Sequence, residues 1–507
     1  MIAINVELWY TYKLWNKIIN LDNCMRCGVP SVIENSRVKE KCQIFTPTQI
    51  VNMMLDSAGY KNNVFGKRVL ENSCGDGKIL SIIVERYIED AKRNHIKESV
   101  IKEGLEQDIT AFDIDADLVL ACKNKLTEIA LKYKIENVNW NVKCEDYLTT
   151  DISMRFEYII GNPPYIAYPD LPQEVQLYIR DNFETCKKGK FDYSYAFIEK
   201  SYSMLTNSGR LIYIVPSNIF KNVFAEKLRE LIIGDLVSIF DFPNDQIFEN
   251  ALVSPAIIKI EKNSNINEIE YSESTGESFD SQVICKNSFL SKWFFKQQKL
   301  SEGKKLGDYF KVSSAIATLC NEAFVLKKGE PMEDFYCIGD YKIEMSLLKK
   351  AASPKNKKYK KYDEYIIFPY YFSQDGHLCR YEEKEMYIKF PYAMKYLESF
   401  KEKLKERDAD QSAKWFEYGR SQALHNMNKQ MMLISSIISE CTEAYLLEDG
   451  EIPYSGLYII STDEIPFSDL IDKLNSKAFK AYASNVGVCV SGSSKRITPS
   501  DIENYIF

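Results

Sequence analysis

The sequence predicts an α/β fold, a mostly parallel sheet with helices on both faces, followed by a smaller α+β domain. Three observations predict it. Up to about Ile260, short runs rich in β-branched and aromatic residues alternate with segments of helical period, as a parallel sheet and its crossover helices require. A polar stretch from Asn263 to Ser281, rich in Ser, Asn and Glu, has no clear period and interrupts that alternation. Beyond it, runs such as Tyr365 to Tyr371 and Gly456 to Ser461 mix with helical pieces such as Pro391 to Arg407. A length of 507 residues suits two or three cores at roughly 100 to 200 residues each. The polar stretch sets the boundary between a first domain, 41–285, and a second, 286–507; residues 1–40 are left as an extension of unknown role.

Composition narrows the function classes. Hydrophobic residues at 45% and charged residues at 27% exclude wholesale disorder. The net charge of -7 excludes a uniformly basic coat, so any polyanion must be met by a local cluster of Lys and Arg. The 13 cysteines are scattered apart from Cys24 and Cys27, which have no second ligand pair nearby, and reduced thiols are expected. Three histidines without His-Glu-x-x-His spacing make a classical zinc hydrolase and histidine catalysis unexpected. A charge inside the apolar start, Met1 to Leu8, argues against a signal peptide, and no apolar run reaches the roughly 18 residues of a membrane span. A cytoplasmic protein without membrane contact is expected.

The elements follow in order. Phe45-Thr46-Pro47-Thr48-Gln49 reads as a helix start, with Thr46 as cap, Pro47 at the first helical position and Gln49 closing a capping box; Ile50, Val51, Met54 and Leu55 mark its buried face. Strands are expected at Arg68 to Asn72, Ile109 to Ile114, Asn139 to Lys143, Tyr158 to Gly161 and Arg210 to Val215, with a helix over Tyr195 to Leu205. In doubly wound sheets, ligands bind at the carboxyl ends of the strands, so the residues after each strand form one set. Glu71 to Gly77 carries glycines that let the backbone approach a ligand. Asp113, in Phe112-Asp113-Ile114-Asp115, is placed to accept from ribose hydroxyls, or else ends the strand or caps the next helix. Glu145-Asp146-Tyr147 sets an acid beside an aromatic, suited to an exocyclic amine and a purine face.

Asn162-Pro163-Pro164-Tyr165 follows an apolar strand, and chance produces such a tetrapeptide in only on the order of a few per thousand chains of this length. Two prolines ending a strand make a rigid turn. They also allow a particular chemistry. An exocyclic amine on a heteroaromatic ring is a poor nucleophile because its lone pair is delocalised. The Asn162 side-chain oxygen and the Pro163 carbonyl can each accept one N–H from that amine, which frees the lone pair to face an electrophilic methyl group. Tyr165 would stack on the ring, so that catalysis comes from positioning and electrostatics.

Taken together, Phe45-Thr46-Pro47, Glu71 to Gly77, Phe112 to Asp115, Glu145-Asp146-Tyr147 and Asn162 to Tyr165, in that order, resemble the γ class of S-adenosylmethionine-dependent adenine-N6 DNA methyltransferases, and TaqI-like enzymes with a C-terminal target-recognition domain in particular. The resemblance runs from about Phe45 to the C-terminus. It continues through Tyr195 to Lys200, Gly209 to Pro216, Leu306 to Phe310, Trp415 to Gln422, Leu474 to Lys477 and Lys495 to Pro499. It implies a Rossmann-like methyltransferase sheet and S-adenosylmethionine as cofactor, with S-adenosylhomocysteine as product and no metal. The implied cofactor contacts are Thr46, Glu71, Ser73, Gly75, Gly77, Asp113, Ile114, Asp146, Tyr147, Asn162 and Phe197, with the ribose on Asp113 and the adenine amine on Asp146. Asn162, Pro163, Pro164 and Tyr165 would be catalytic. Family members sandwich the extruded base with a second aromatic four residues before an arginine like Arg229. Ala225 stands there in this chain, so Phe224 becomes the candidate and Phe220 the alternate. Asn72 stands where the glycine motif commonly has proline.

The implied partner is double-stranded DNA, and extruding a base costs roughly a few kcal/mol that a binding domain must offset. Between Lys349 and Lys361 lie seven lysines and no acid, interleaved with Tyr359. Lys355, Lys357, Lys358, Lys360 and Lys361 are therefore expected at phosphates, a solvated loop being the alternative. Arg420, Gln422, Lys495 and Arg496 are further DNA candidates. A monomer serving a restriction-modification system or acting as an orphan modification enzyme is expected, with a cognate endonuclease as candidate partner. Two other readings compete: a protein-glutamine N5 methyltransferase of the release-factor type, whose amide poses the same lone-pair problem, and a catalytically silent DNA-recognition subunit. A fused nuclease is not expected, because the N-terminal segment is too short for one.

Overall fold

The computed structural model describes residues 46–243, 254–276, 278–289, 292–295, 303–360, 363–439, 442–462, 466–491 and 494–507. The extension 1–40 with Cys24 and Cys27, and also Phe45 and Lys361, lie outside the described residues. Two compact units divide at Phe295.

The first unit runs α1 (Thr48–Ser57), β1 (Val69–Glu71), α2 (Lys78–Arg93), α3 (Glu98–Asp108), β2 (Ile109–Asp113), α4 (Ala116–Lys132), β3 (Asn141–Cys144), β4 (Phe156–Gly161), α5 (Gln173–Asn182), α6 (Ser194–Ser203), β5 (Leu205–Pro216), α7 (Glu226–Ile232), β6 (Leu236–Asp241), β7 (Pro255–Glu261), β8 (Glu268–Ser274) and β9 (Phe279–Cys285). Among the described residues nine strands form one sheet in the order β3-β2-β1-β4-β5-β7-β6-β8-β9. Strand β1 pairs in parallel with β2 on one side and β4 on the other, Val69 facing both Ile109 and Tyr158. The strand order reverses at that point, which opens a crevice beyond the carboxyl ends of β1 and β4. Strand β7 runs antiparallel between β5 and β6, so the sheet is mixed.

The two-residue period of the strands distributes their side chains to two cores. Ile159, Leu211 and Tyr213 face one, with Val175 and Ile179 of α5, Phe197 of α6 and Leu228 of α7. Ile160, Ile212 and Ile214 face the other, with Val51 and Met54 of α1, Ile83 of α2, Leu105 of α3 and Leu126 of α4. The expected α/β class with helices on both faces is borne out, and each of the five expected strands falls on one of β1 to β5. The polar stretch Asn263 to Ser281 is different: it holds β8 and the start of β9, which form a hairpin that extends the sheet. Strand β9 is largely exposed, so it lacks the apolar alternation by which a half-buried strand is read.

The second unit is α+β, with two four-stranded, two three-stranded and one two-stranded sheet among its described residues. Tyr336, Phe416, Tyr418 and Tyr458 are buried at its centre. Among the described residues no helix is long and apolar enough to cross a membrane.

Candidate functional site

The loop after β1 turns on two glycines in the left-handed region, Gly75 at φ 52° and Gly77 at φ 83°. Its backbone is tied to β2: the Cys74 N–H donates to the Phe112 carbonyl at 2.9 Å, and the Gly75 N–H to Asp113 Oδ2 at 2.8 Å. The Asp115 N–H donates to Asp113 Oδ1 at 3.0 Å. Capping of α4 falls to Asp115, whose carboxylate accepts from Asp117 and Leu118 N–H groups. Asp113 thus ends β2 with its carboxylate held at the mouth of the crevice. A Cβ on Gly75 would meet nothing within 4 Å, so the loop backbone is open to a ligand there.

Three acids stand at the carboxyl ends of the adjacent strands β1, β2 and β3. Glu71 is 1% exposed, and its Oε2 has no hydrogen-bond partner among the described residues. Burial pushes its carboxyl well above the usual range, with Cys122 and Asp113 adding to the rise. Burial also raises Asp113 and Asp146, against the N–H groups that each accepts. A buried acceptor without a donor, in an acidic crevice lined by an open glycine backbone, fits a cationic ligand that brings N–H and O–H donors. Ile114 is half-buried beside Asp113. No group of His, Cys, Asp and Glu among the described residues could hold a metal ion.

The candidate catalytic loop is fastened to this crevice from three sides. Asn162 Nδ2 donates to Thr46 Oγ1 at 3.3 Å, which orients the amide. Thr46 was expected to cap α1, but that helix starts at Thr48 with Pro47 in the cap position and no side-chain cap, and Thr46 serves Asn162 instead. Ser73 Oγ donates to the Asn162 carbonyl at 3.0 Å. On the third side, the Tyr193 N–H donates to the Ile166 carbonyl at 2.9 Å and Ala167 forms a bridge with Asp192. Pro163 is buried and Pro164 half-buried. The Tyr165 hydroxyl is buried without a hydrogen-bond partner among the described residues, and burial raises its pKa, with nearby Asp192 adding. Burial likewise pushes Asp192 up to about 6, although it accepts from the Ser194 N–H and hydroxyl.

Other residues of the site escape a linear reading. Asn72 is 2% exposed, and its Nδ2 donates to Ser201 Oγ at 3.0 Å and to the Tyr213 hydroxyl. Ser201 Oγ also bonds the hydroxyls of Tyr213 at 2.7 Å and Tyr147 at 2.9 Å. This network gives the amide of Asn72 a use at a position where the glycine motif it resembles commonly has proline. Tyr147 and Phe197 are core residues, with ring centroids 5.7 Å apart. Lys200 Nζ donates to the carbonyls of Tyr147, Leu148 and Thr150 at 2.6, 3.1 and 2.6 Å, clasping the loop that carries Asp146. Lys200 lies in the Tyr195 to Lys200 motif, but no spacing rule announces which carbonyls a lysine will meet. Of the two candidate stacking aromatics, Phe220 is 1% exposed and stacked on Trp293, whereas Phe224 is 40% exposed.

In the second unit the DNA candidates separate. Lys355, Lys360, Gln422 and Arg496 are exposed, and Lys495 is half-buried. Lys358 pairs with Glu443 at 2.8 Å, and Arg420 with Asp408 and Asp410 at 2.8 and 3.2 Å. Lys357 is withdrawn from the surface, as its Nζ lies 2.6 Å from both carboxylate oxygens of Glu451, with the two side chains 9% and 5% exposed. Lys357→Ala strands that buried carboxylate and is expected to destabilise the unit by about 3 kcal/mol. Lys355→Ala and Lys360→Ala, at exposed side chains, should leave stability unchanged. Urea unfolding distinguishes them, and an unmoved midpoint for Lys357→Ala would count against the assignment.

The chain is 22% identical over 495 residues to the type II restriction enzyme and methyltransferase RM.Eco57I of Escherichia coli, covering 78% of this chain and 49% of that protein. It is 28% identical over 231 residues to the type II methyltransferase M.HincII of Haemophilus influenzae, covering 45% of this chain and 38% of that protein. The chain thus spans about half the length, or less, of these curated relatives. Among solved structures, the type IIL restriction-modification enzyme MmeI in complex with DNA shares the fold at a TM-score of 0.56 and 12% identity, over 90% of this chain and 64% of that one. Residues 82–248, which include the Asn162 to Tyr165 loop and most of the sheet around it, match the Eco57I restriction-modification methylase family.

Proposed function

We propose that this chain is a γ-class modification enzyme that transfers a methyl group from S-adenosylmethionine to N6 of an adenine extruded from a specific duplex sequence. The observation that carries the reading is the fastening of Asn162, through Thr46 and Ser73, beside the crevice of Glu71, Asp113 and Asp146. Glu71, Gly75, Gly77, Asp113, Ile114 and Asp146 would hold the cofactor, which when bound supplies a methyl group made electrophilic by its sulfonium. The protein's own task is to prepare the acceptor. Asn162 and the Pro163 carbonyl accept the two N–H bonds of the target amine and turn its lone pair toward the crevice. Thr46 and Ser73 keep that acceptor pair from rotating away, and Tyr165, with exposed Phe224, stacks on the base. Likeness to type II methyltransferases and a second unit carrying exposed Lys355 and Lys360 favour DNA over a protein glutamine.

Transfer of a tritiated methyl group to plasmid DNA, set against transfer to a release factor, tests the substrate class, and label on the protein alone would reverse the choice. Cofactor binding without transfer to either would favour the silent recognition subunit.

The raised carboxyls of Glu71, Asp113 and Asp146 give a pH signature. A cationic cofactor favours their ionised forms, so binding releases protons, and affinity rises with pH above the ordinary carboxylate range. Calorimetry across a pH series above the ordinary carboxylate range, in two buffers of different ionisation enthalpy, should register that release. Proton uptake would contradict the placement of the acids.

A further inference from the structure

The turn between α5 and α6 contains Lys187, Lys188, Gly189 and Lys190, and it is fixed on every side. Before it, the N–H groups of Glu184 and Thr185 donate to the Glu199 carboxylate at 3.0 and 2.8 Å. After it, the Tyr168 N–H donates to the Phe191 carbonyl at 3.2 Å, and the bridge from Ala167 to Asp192 joins the turn to the segment just past Tyr165. From beneath, Arg180 donates from Nη2 to the Gly189 carbonyl at 2.9 Å while its guanidinium lies 4.7 Å from the centroid of the Tyr168 ring.

Gly189 itself has a φ of 74°, and a Cβ built on it would stand 2.1 Å from Cδ1 of Phe224. The Phe224 ring therefore occupies the space that a side chain at this position would need. Lys188 and Lys190 flank that contact and are exposed. Lys187 pairs with Glu184, but among the described residues no carboxylate lies within ion-pair distance of Lys188 or Lys190. In a chain of net charge -7, two unneutralised cations held on an anchored turn against an exposed aromatic form a local exception to the global charge.

We propose that this turn is a phosphate-contact site of the first unit, in which Lys188 and Lys190 engage the duplex backbone beside the extruded base and Gly189 seats the Phe224 ring that stacks on it. The inference rests on the methyltransferase reading and adds to it a DNA contact outside the second unit. Its physical logic is that an unstacked base stays out longer when the adjoining phosphates are clamped by the same rigid element that supports the stacking ring.

The test uses the full chain and a fluorescein-labelled duplex, followed by anisotropy across a series of salt concentrations, together with methylation of plasmid DNA. For the Lys188→Ala/Lys190→Ala variant, the slope of log affinity against log salt should flatten by roughly 2, with affinity at about 0.1 M salt reduced at least tenfold and the cofactor dissociation constant unchanged. Lys188→Arg/Lys190→Arg should restore both. Gly189→Ala, which displaces the ring, should lower kcat/KM for DNA more than tenfold with the cofactor constant again unchanged. An unaltered salt slope in the double alanine variant overturns the proposal. A wild-type chain that binds the duplex but never methylates plasmid DNA overturns the methyltransferase reading instead, so the two failures are separate.

Discussion

Asn162→Ala is expected to lower the rate of methyl transfer by about 10³ or more while leaving the cofactor dissociation constant within roughly threefold. In the proposed mechanism the amide does no covalent chemistry, so its whole contribution would be made at the moment when charge develops on the target nitrogen. Loss of a preorganised acceptor in a water-poor site therefore falls on kcat and not on binding. Thr46→Ala and Ser73→Ala remove only the bonds that orient the loop, at 3.3 and 3.0 Å, and should each reduce kcat by about tenfold. Single-turnover transfer of labelled methyl, with calorimetry of cofactor binding, separates the two effects. Transfer by Asn162→Ala at more than a tenth of the wild-type rate would remove the amide from the mechanism.

The two glycines of the first loop should fail in opposite ways. A Cβ on Gly77, at φ 83°, would stand 2.7 Å from Cys122 Sγ and 3.3 Å from the Cys122 Cα, so Gly77→Ala combines left-handed strain with overpacking of α4 and should cost about 3 kcal/mol of stability. Gly75, at φ 52°, has nothing within 4 Å of such a Cβ, so Gly75→Val should cost folding only about 1 to 2 kcal/mol. Its side chain would project into the space where the ligand approaches, and affinity for the cofactor should fall about 10- to 100-fold. Thermal unfolding and calorimetry on both variants check the pair. A Gly75→Val protein that binds the cofactor normally would displace the ligand from this loop.

Much of the site was legible because its parts sit at strand ends, where sequence order and spatial order coincide. The crossover rule for parallel strands carries Glu71, Asp113, Asp146 and Asn162 to one edge of the sheet without any knowledge of side-chain contacts. Side chains that act across the fold were not legible. Lys200 meets its three carbonyls some 50 residues back along the chain, and Ser201 meets Asn72 at a separation of 129 residues. Lys357 shows the same limit in reverse, because it belongs to a lysine run that reads as solvated or DNA-bound, yet Glu451, 94 residues away, takes it out of solvent.

The sequence alone determined the α/β class, the order of the strand-end motifs and the kind of chemistry that an Asn-Pro-Pro-Tyr turn permits. These rest on local period and on residue type, which a linear chain displays directly. Only the tertiary structure decided that Thr46 serves Asn162 instead of a helix cap, that Phe224 and not Phe220 remains exposed, and that Lys357 is drawn onto the buried carboxylate of Glu451. Each of those depends on which distant groups share a desolvated space, and burial, unlike periodicity, is a property of the packed chain as a whole.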